Sequence, residues 1–177
     1  LTRAEAFLRR GLTLQPRNAA AHCDLGDILE AQHHDEEALR EFEFAARLAP
    51  RFFHAMMRQA AVLRKMGRYD DAAEAAGKAL ALLPNDARAH EEAGHSLFLG
   101  GRFAEAAGHL LQAMREDPLR GQPVFLLGRI AAAQGDYASA RGRFSEALRV
   151  QPDLTSLYEQ TAATASERER DLLRAAV

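Results

Sequence analysis

The sequence predicts an all-α protein built from stacked, antiparallel helix pairs. Five of its six prolines stand 34 residues apart, at Pro16, Pro50, Pro84, Pro118 and Pro152. A fixed period of this length is typical of a repeat protein, in which each repeat packs only on its neighbours. Between the prolines, apolar residues follow helical spacing, as at Leu25, Ile28 and Leu29.

A column of small residues ten positions after each proline predicts that the helices of a pair lie close together. Its members are Gly26, Ala60, Gly94, Gly128 and Ala162. Eight positions before the prolines the side chain is usually large, at Leu8, Phe42, Leu110 and Phe144, with Ala76 as the exception. A large side chain facing a small one lets two helix backbones approach each other.

Glycines and caps predict where individual helices end and begin. Gly67, Gly101 and Gly135 suit the left-handed residue that closes a helix. Acidic residues follow them in the first turn of the next helix, where the helix dipole favours negative charge. Asn18 and Asp86, each two residues after a proline, are predicted N-caps.

The proline register gives the order of the elements. Residues 1–16 are the second helix of a truncated repeat, full repeats span 19–52, 53–86, 87–120 and 121–154, and residues 155–177 form a terminal partial repeat. The apolar residues of the first segment, Ala4, Phe7, Leu8 and Leu12, lead us to expect further chain before residue 1.

Two readings of the last segment stay open. Ser166 and Glu169 form a capping-box pattern, which predicts a short helix at 167–176. The alternative is one unbroken helix to the end of the chain.

The repeated pattern resembles the tetratricopeptide repeat (TPR) family. The segments GRYDDAAEAAGKALALLPND (67–86) and GDYASARGRFSEALRVQPD (135–153) carry the resemblance most clearly. It implies a right-handed superhelical solenoid whose first helices line a concave groove that binds an extended peptide or a partner helix. The chain departs from the family where tryptophan is frequent, six residues after each proline, at His22, Met56, His90, Val124 and Tyr158. Residues 33–35, His-His-Asp, also replace the usual Gly-x-Tyr turn.

The resemblance implies a non-catalytic scaffold for a protein or peptide ligand. Helical spacing on the first helices gives the candidate partner-binding residues His54, Met57, Arg58, Arg64, Lys65, Arg88, Glu91, His95, Phe98, Phe125 and Arg129. The first full repeat presents an acidic face and the second a basic one, so a partner of complementary charge is expected. The lysine and asparagine pairs by which some TPR co-chaperones grip a C-terminal carboxylate are absent from the matching positions.

Two other functions stay open. The chain fits the substrate-recruiting part of a larger enzyme, such as a protein glycosyltransferase. It also fits a self-assembling scaffold, forming a homo-oligomer through exposed solenoid ends.

Composition and spacing argue against several other classes of function. The net charge of −2 gives no support for a nucleic-acid partner, and no apolar run is long enough to span a membrane. We find no set of residues with the spacing of a catalytic site and no cofactor-binding motif. No metal site is predicted, because His90 and His95 point about 140° apart on a helix and Cys23 has no evident partner. The expected compartment is the cytoplasm, with the periplasm or envelope as alternatives, and the arginine-rich, lysine-poor composition is typical of a bacterial protein.

Overall fold

The computed structural model describes residues 3–176 and is all-α over that range, which confirms the predicted fold class. The helices are α1 (Arg3–Leu14), α2 (Ala19–Ala31), α3 (Asp35–Leu48), α4 (Phe53–Lys65), α5 (Tyr69–Leu82), α6 (Ala87–Leu99), α7 (Phe103–Glu116), α8 (Gly121–Ala133), α9 (Tyr137–Val150), α10 (Thr155–Thr164) and α11 (Glu167–Ala176). A single 3-10 turn at Pro152–Leu154 precedes α10. None of the described helices is long and apolar enough to cross a membrane.

The chain forms two compact units, Leu1–Pro84 and Asn85–Val177. In the first unit, α2 packs on α3 and α4 packs on α5, while α3 also contacts α4 and α1 contacts α2. In the second unit, α6 packs on α7 and α8 packs on α9, while α11 contacts both α9 and α10. The unit of packing is thus the antiparallel helix pair, which the proline spacing predicts.

Helix pairs come close because a small residue on one helix faces a large side chain on the other. A Cβ added to Gly26 would lie 2.6 Å from the Phe42 ring, and one added to Gly94 would lie 2.7 Å from Cγ of Leu110. In the second full repeat the column residue is Ala60, and the position of the large side chain is taken by Ala76. The methyl group that Ala60 adds to one helix is therefore accompanied by a smaller side chain, Ala76, on the other helix.

Left-handed residues close the first helices, as the glycines predict. Gly67, Gly101 and Gly135 have φ of 77°, 77° and 82°. His33 takes the same position in the first full repeat, with φ 62°. There the amide of His34 donates to the carbonyl of Leu29 at 2.9 Å, so the turn closes in the same way without glycine.

Both predicted N-caps are present. Asn18 Oδ1 accepts a hydrogen bond from the amide of Ala21 at 3.1 Å, and Asp86 Oδ1 accepts one from the amide of Ala89 at 2.9 Å. Each satisfies an amide that the helix itself leaves without a partner.

The last segment forms two helices rather than one over its described residues, 155–176. The α10 helix has 10 residues, where α2 has 13. The amide of Glu169 donates to Oγ of Ser166 at 3.3 Å, which is the predicted cap. Arg170 donates to the carbonyls of Ala162 and Ala165 at 3.0 and 3.1 Å, so its guanidinium satisfies the end of α10 and fixes the break.

At the other end of the described chain, α1 leaves part of its apolar surface uncovered. Phe7 is 63% exposed, as the sequence predicts for this helix. Its one buried charge, Glu5, was not predicted. The Glu5 carboxylate accepts hydrogen bonds from Arg9 at 2.9 Å and from Gln32 at 3.1 Å, and the second bond joins α1 to the end of α2.

Candidate functional site

In the first unit, Arg58 on α4 joins the first helices of two adjacent repeats. Its Nε donates to Asp27 Oδ1 at 2.5 Å and its Nη2 donates to Glu30 Oε2 at 2.6 Å, both on α2. The guanidinium also lies 5.6 Å from the centre of the Phe42 ring. The acidic and basic faces that the sequence predicts for a partner are therefore partly paired with each other.

The other candidate residues of α4 are more open. His54 is 59% exposed, with its Nε2 4.0 Å from Asp27 Oδ2. Lys65 is 39% exposed, and its Nζ donates to Asp35 Oδ1 at 2.6 Å. Met57 and Arg64 are half-buried. The opposite face of α4, which includes Ala60 and Val62, is fully buried.

One cluster in this unit was not predicted from the sequence. The Cys23 sulfur, a carboxylate oxygen of Asp27 and a ring nitrogen of His54 all lie within 4.8 Å of one another. Burial, together with the nearby carboxylates of Asp27 and Asp24, raises the pKa of the Cys23 thiol to about 12. We call Cys23, Asp27 and His54 the Cys-Asp-His cluster.

A weak signal for this cluster exists in the sequence. Cys23 and Asp27 are four residues apart, so they share one face of α2. His54 occupies the position on the next first helix that corresponds to Ala20, on the same face. What the sequence does not give is the distance between the two helices.

In the second unit, the candidate Glu91 is buried and forms an ion pair with Arg120. Arg120 Nε donates to Glu91 Oε2 at 2.5 Å, and only 8% of Glu91 is exposed. Arg88 is exposed and lies 3.4 Å from Asp86. His95 is half-buried, and its Nδ1 lies 3.5 Å from Nε2 of Gln122.

The remaining candidates of this unit, Phe98, Phe125 and Arg129, contact side chains of α8, α10 and α11. The ring of Phe125 is buried, with its centre 4.6 Å from that of Tyr158 on α10. The guanidinium of Arg129 lies 4.9 Å from the centre of the buried Phe98 ring, and its Nε donates to Glu169 Oε1 on α11 at 2.8 Å. Phe125 and Phe98 therefore belong to the core, because Tyr158 of α10 packs on the first ring and Arg129 of α8 packs on the second.

Histidines at the predicted packing column make specific contacts. Nδ1 of His90 lies 3.0 Å from Nδ1 of His109. Burial lowers the pKa of His109, and the charge of His90 lowers it further. His22, at the matching position of the first full repeat, places its Nδ1 2.6 Å from Glu41 Oε2. Both histidines are half-buried packing residues, as their column predicts.

A family model for the tetratricopeptide repeat matches residues 57–120 and 125–166, which is more than half of the chain. The chain belongs to the tetratricopeptide repeat family. The expectation drawn from the repeated segments is thereby confirmed.

Two curated relatives are named as glycosyltransferases. The chain is 28% identical to the protein O-mannosyl-transferase TMTC1 of Mus musculus over 155 residues, which cover 85% of this chain and 16% of that protein. It is 32% identical to the probable UDP-N-acetylglucosamine–peptide N-acetylglucosaminyltransferase SEC of Arabidopsis thaliana over 74 residues, which cover 42% of this chain and 8% of that protein. The chain thus spans less than a fifth of the length of either relative.

Among solved structures, the chain is similar to YrrB, described as a TPR protein with an unusual peptide-binding site. The two share 25% identity with a TM-score of 0.74, and the match covers 85% of this chain and 78% of YrrB.

Proposed function

We propose that this chain is a non-catalytic scaffold that binds a peptide or a partner protein on the exposed faces of its first helices. The observation that carries the proposal is the two-sided character of α4. One side of this helix is buried in the core, whereas His54, Met57 and Lys65 on the other side remain exposed or half-buried. A TPR helix with an uncovered face of mixed cationic and apolar character is suited to bind a chain segment.

The chemistry of this face indicates what it would bind. Lys65 and His54 favour an acidic side chain, and the flexible thioether of Met57 adapts to an apolar one. Arg58 is held by two carboxylates, so it contributes rigidity rather than a free charge. An extended segment with acidic and apolar side chains is therefore the proposed ligand class.

The likeness to YrrB supports this proposal, because that TPR protein is described as having a peptide-binding site. The self-assembling alternative predicts instead that the apparent mass rises with concentration in static light scattering. A constant monomer mass would exclude it over the range measured.

A second function is supported by the names of the curated relatives. Both are described as transferases that modify proteins with sugars, and the chain matches only a small part of each. We propose as the alternative that the chain recruits substrates for such an enzyme. The discriminating observation is the full reading frame, since this alternative requires a catalytic domain in the same polypeptide.

The scaffold proposal is tested by selecting ligands from a random peptide library displayed on phage and measuring their affinity for charge-reversed variants. Lys65→Glu, made together with Met57→Glu, should weaken binding of the selected peptides by about tenfold or more. Anchor residues of an interface commonly contribute more than about 1 kcal/mol each, and about 1.4 kcal/mol corresponds to a tenfold change in affinity. Lys78→Glu is the matched control, since Lys78 is the only other lysine and also pairs with one acid, Glu74.

The result is decisive in either direction. Peptides that lose affinity for the α4 variant and keep it for Lys78→Glu support the proposal. If the peptides bind both variants with the same affinity as the native chain, the ligand does not bind to the exposed face of α4.

A further inference from the structure

The Cys-Asp-His cluster combines three side-chain types that bind transition metals. Its ligand atoms come from two adjacent repeats, Cys23 and Asp27 from α2 and His54 from α4, and they lie within 4.8 Å of one another. A thiolate, an imidazole and a carboxylate together favour a zinc-type cation over calcium or magnesium, which prefer oxygen ligands alone.

The separation of His54 and Asp27 is close to that of two ligands in one coordination sphere. Nε2 of His54 lies 4.0 Å from Oδ2 of Asp27. Two such atoms bound to one tetrahedral zinc lie about 3.3 Å apart, given metal–ligand bonds of about 2.0–2.1 Å. A small rotation of His54 closes this gap, and its side chain is exposed enough to make it.

Arg58 prepares Asp27 to act as a ligand. Its Nε donates to Oδ1, so the carboxylate is oriented with Oδ2 towards His54. Hydrogen-bonded partners of this kind commonly fix the geometry of metal-binding carboxylates. The same guanidinium also donates from its Nη2 to Glu30 Oε2, which fixes its position on α2.

The local charge also favours a cation. The carboxylates of Asp24, Asp27 and Glu30 lie on α2, and Arg58 is the cation that pairs with two of them. When the metal binds, the thiol of Cys23 transfers its proton to solvent and the sulfur forms the metal bond. A water molecule completes the fourth position, as in other sites with three protein ligands.

We propose that Cys23, Asp27 and His54 bind one divalent cation of the zinc class and link the first helices of two adjacent repeats. The site shares His54 with the face proposed for partner binding, but the two proposals are tested separately, because Met57 and Lys65, which are changed in the peptide test, are not ligands of the metal site. Its physical consequence is a cross-link between α2 and α4, which raises the stability of the folded first unit when the metal is present.

The test is a titration of the reduced, metal-free chain with Co²⁺, which reports on thiolate ligands by its near-ultraviolet charge-transfer absorption. The native chain should show this band together with tetrahedral visible bands, saturating at one ion per chain, and Zn²⁺ should displace both. Cys23→Ala should lose the charge-transfer band. His54→Ala should bind Co²⁺ about tenfold or more weakly, as expected when part of a metal site is removed.

Two features keep the test decisive. His54 lies at the surface, so His54→Ala should retain the native far-ultraviolet circular dichroism even if Cys23→Ala does not. His34→Ala is the matched control, because His34 is also an exposed histidine of the first unit. Absence of the thiolate band in the native chain, an unchanged titration in His54→Ala, or binding that is lost only in His34→Ala would each overturn the proposal.

Discussion

The Phe42 ring lies so close to Gly26 that the two residues determine the separation of α2 and α3. A Cβ at position 26 would be 2.6 Å from the ring, well inside normal contact distance. Gly26→Ala should therefore lower the free energy of unfolding by about 1–3 kcal/mol, the usual cost of overpacking a core. Urea-induced unfolding followed by circular dichroism measures this change.

The control for this substitution is Gly77→Ala on α5. No atom lies within 4 Å of a Cβ built on Gly77. This change should raise stability by up to about 1 kcal/mol, through helix propensity alone. The cost of Gly26→Ala should also largely disappear in a Phe42→Ala background, which matches the Ala60 and Ala76 pair of the next repeat. An equal cost in both backgrounds would show that the ring is not responsible.

His33 carries a left-handed backbone that glycine adopts more readily. Its φ is 62°, and the residues at the matching position of the next three repeats are glycines. His33→Gly should raise the free energy of unfolding by about 1 kcal/mol, because an L-residue in this region costs about 1–2 kcal/mol. His34→Gly, one residue later at φ −92°, should bring no such gain. A thermal or urea midpoint that falls in His33→Gly would contradict the argument.

Ser96 is fully buried, and its Oγ has no hydrogen-bond partner within the described part of the chain. The corresponding residues of neighbouring repeats include Val62 and Ile130, both buried and apolar. Ser96→Val should therefore stabilise the protein by about 1 kcal/mol or more, since a buried unpaired hydroxyl costs about 1–3 kcal/mol. Ser145→Val on the exposed side of α9 is the control and should change stability little. Similar midpoints for the two variants would count against the burial argument.

The His90 and His109 pair predicts an acid-sensitive second unit. The pKa of folded His109 is lowered by burial and by His90, so the unfolded chain binds protons more readily. The free energy of unfolding should therefore be highest above about pH 6.5, the usual pKa of histidine. It should fall as the pH drops from there towards the lowered pKa of folded His109. His109→Gln should remove part of this loss in unfolding curves recorded from pH 7.5 to 5. The exposed His34→Ala serves as control, and an unchanged pH profile in His109→Gln would exclude the pair as the cause.

Much of the fold could be predicted because the determinants of each helix pair are local and repeated. The left-handed glycines, the caps at Asn18 and Asp86, and the facing of Gly26 with Phe42 all act within one repeat. Their spacing along the chain is enough to place them. The candidate site was less predictable, because its residues belong to different repeats and to the C-terminal helices.

The sequence by itself determined that this protein is a series of TPR helix pairs, because backbone conformation and close packing within a pair depend on residue type at fixed spacing. The tertiary structure decided which predicted groove residues stay open. In the folded chain Arg58 pairs with Asp27, and Phe125 is buried against Tyr158. Folding also brings His54 to Cys23. Each of these contacts depends on the distance between helices of different repeats and on side-chain orientation, which no spacing along one chain specifies.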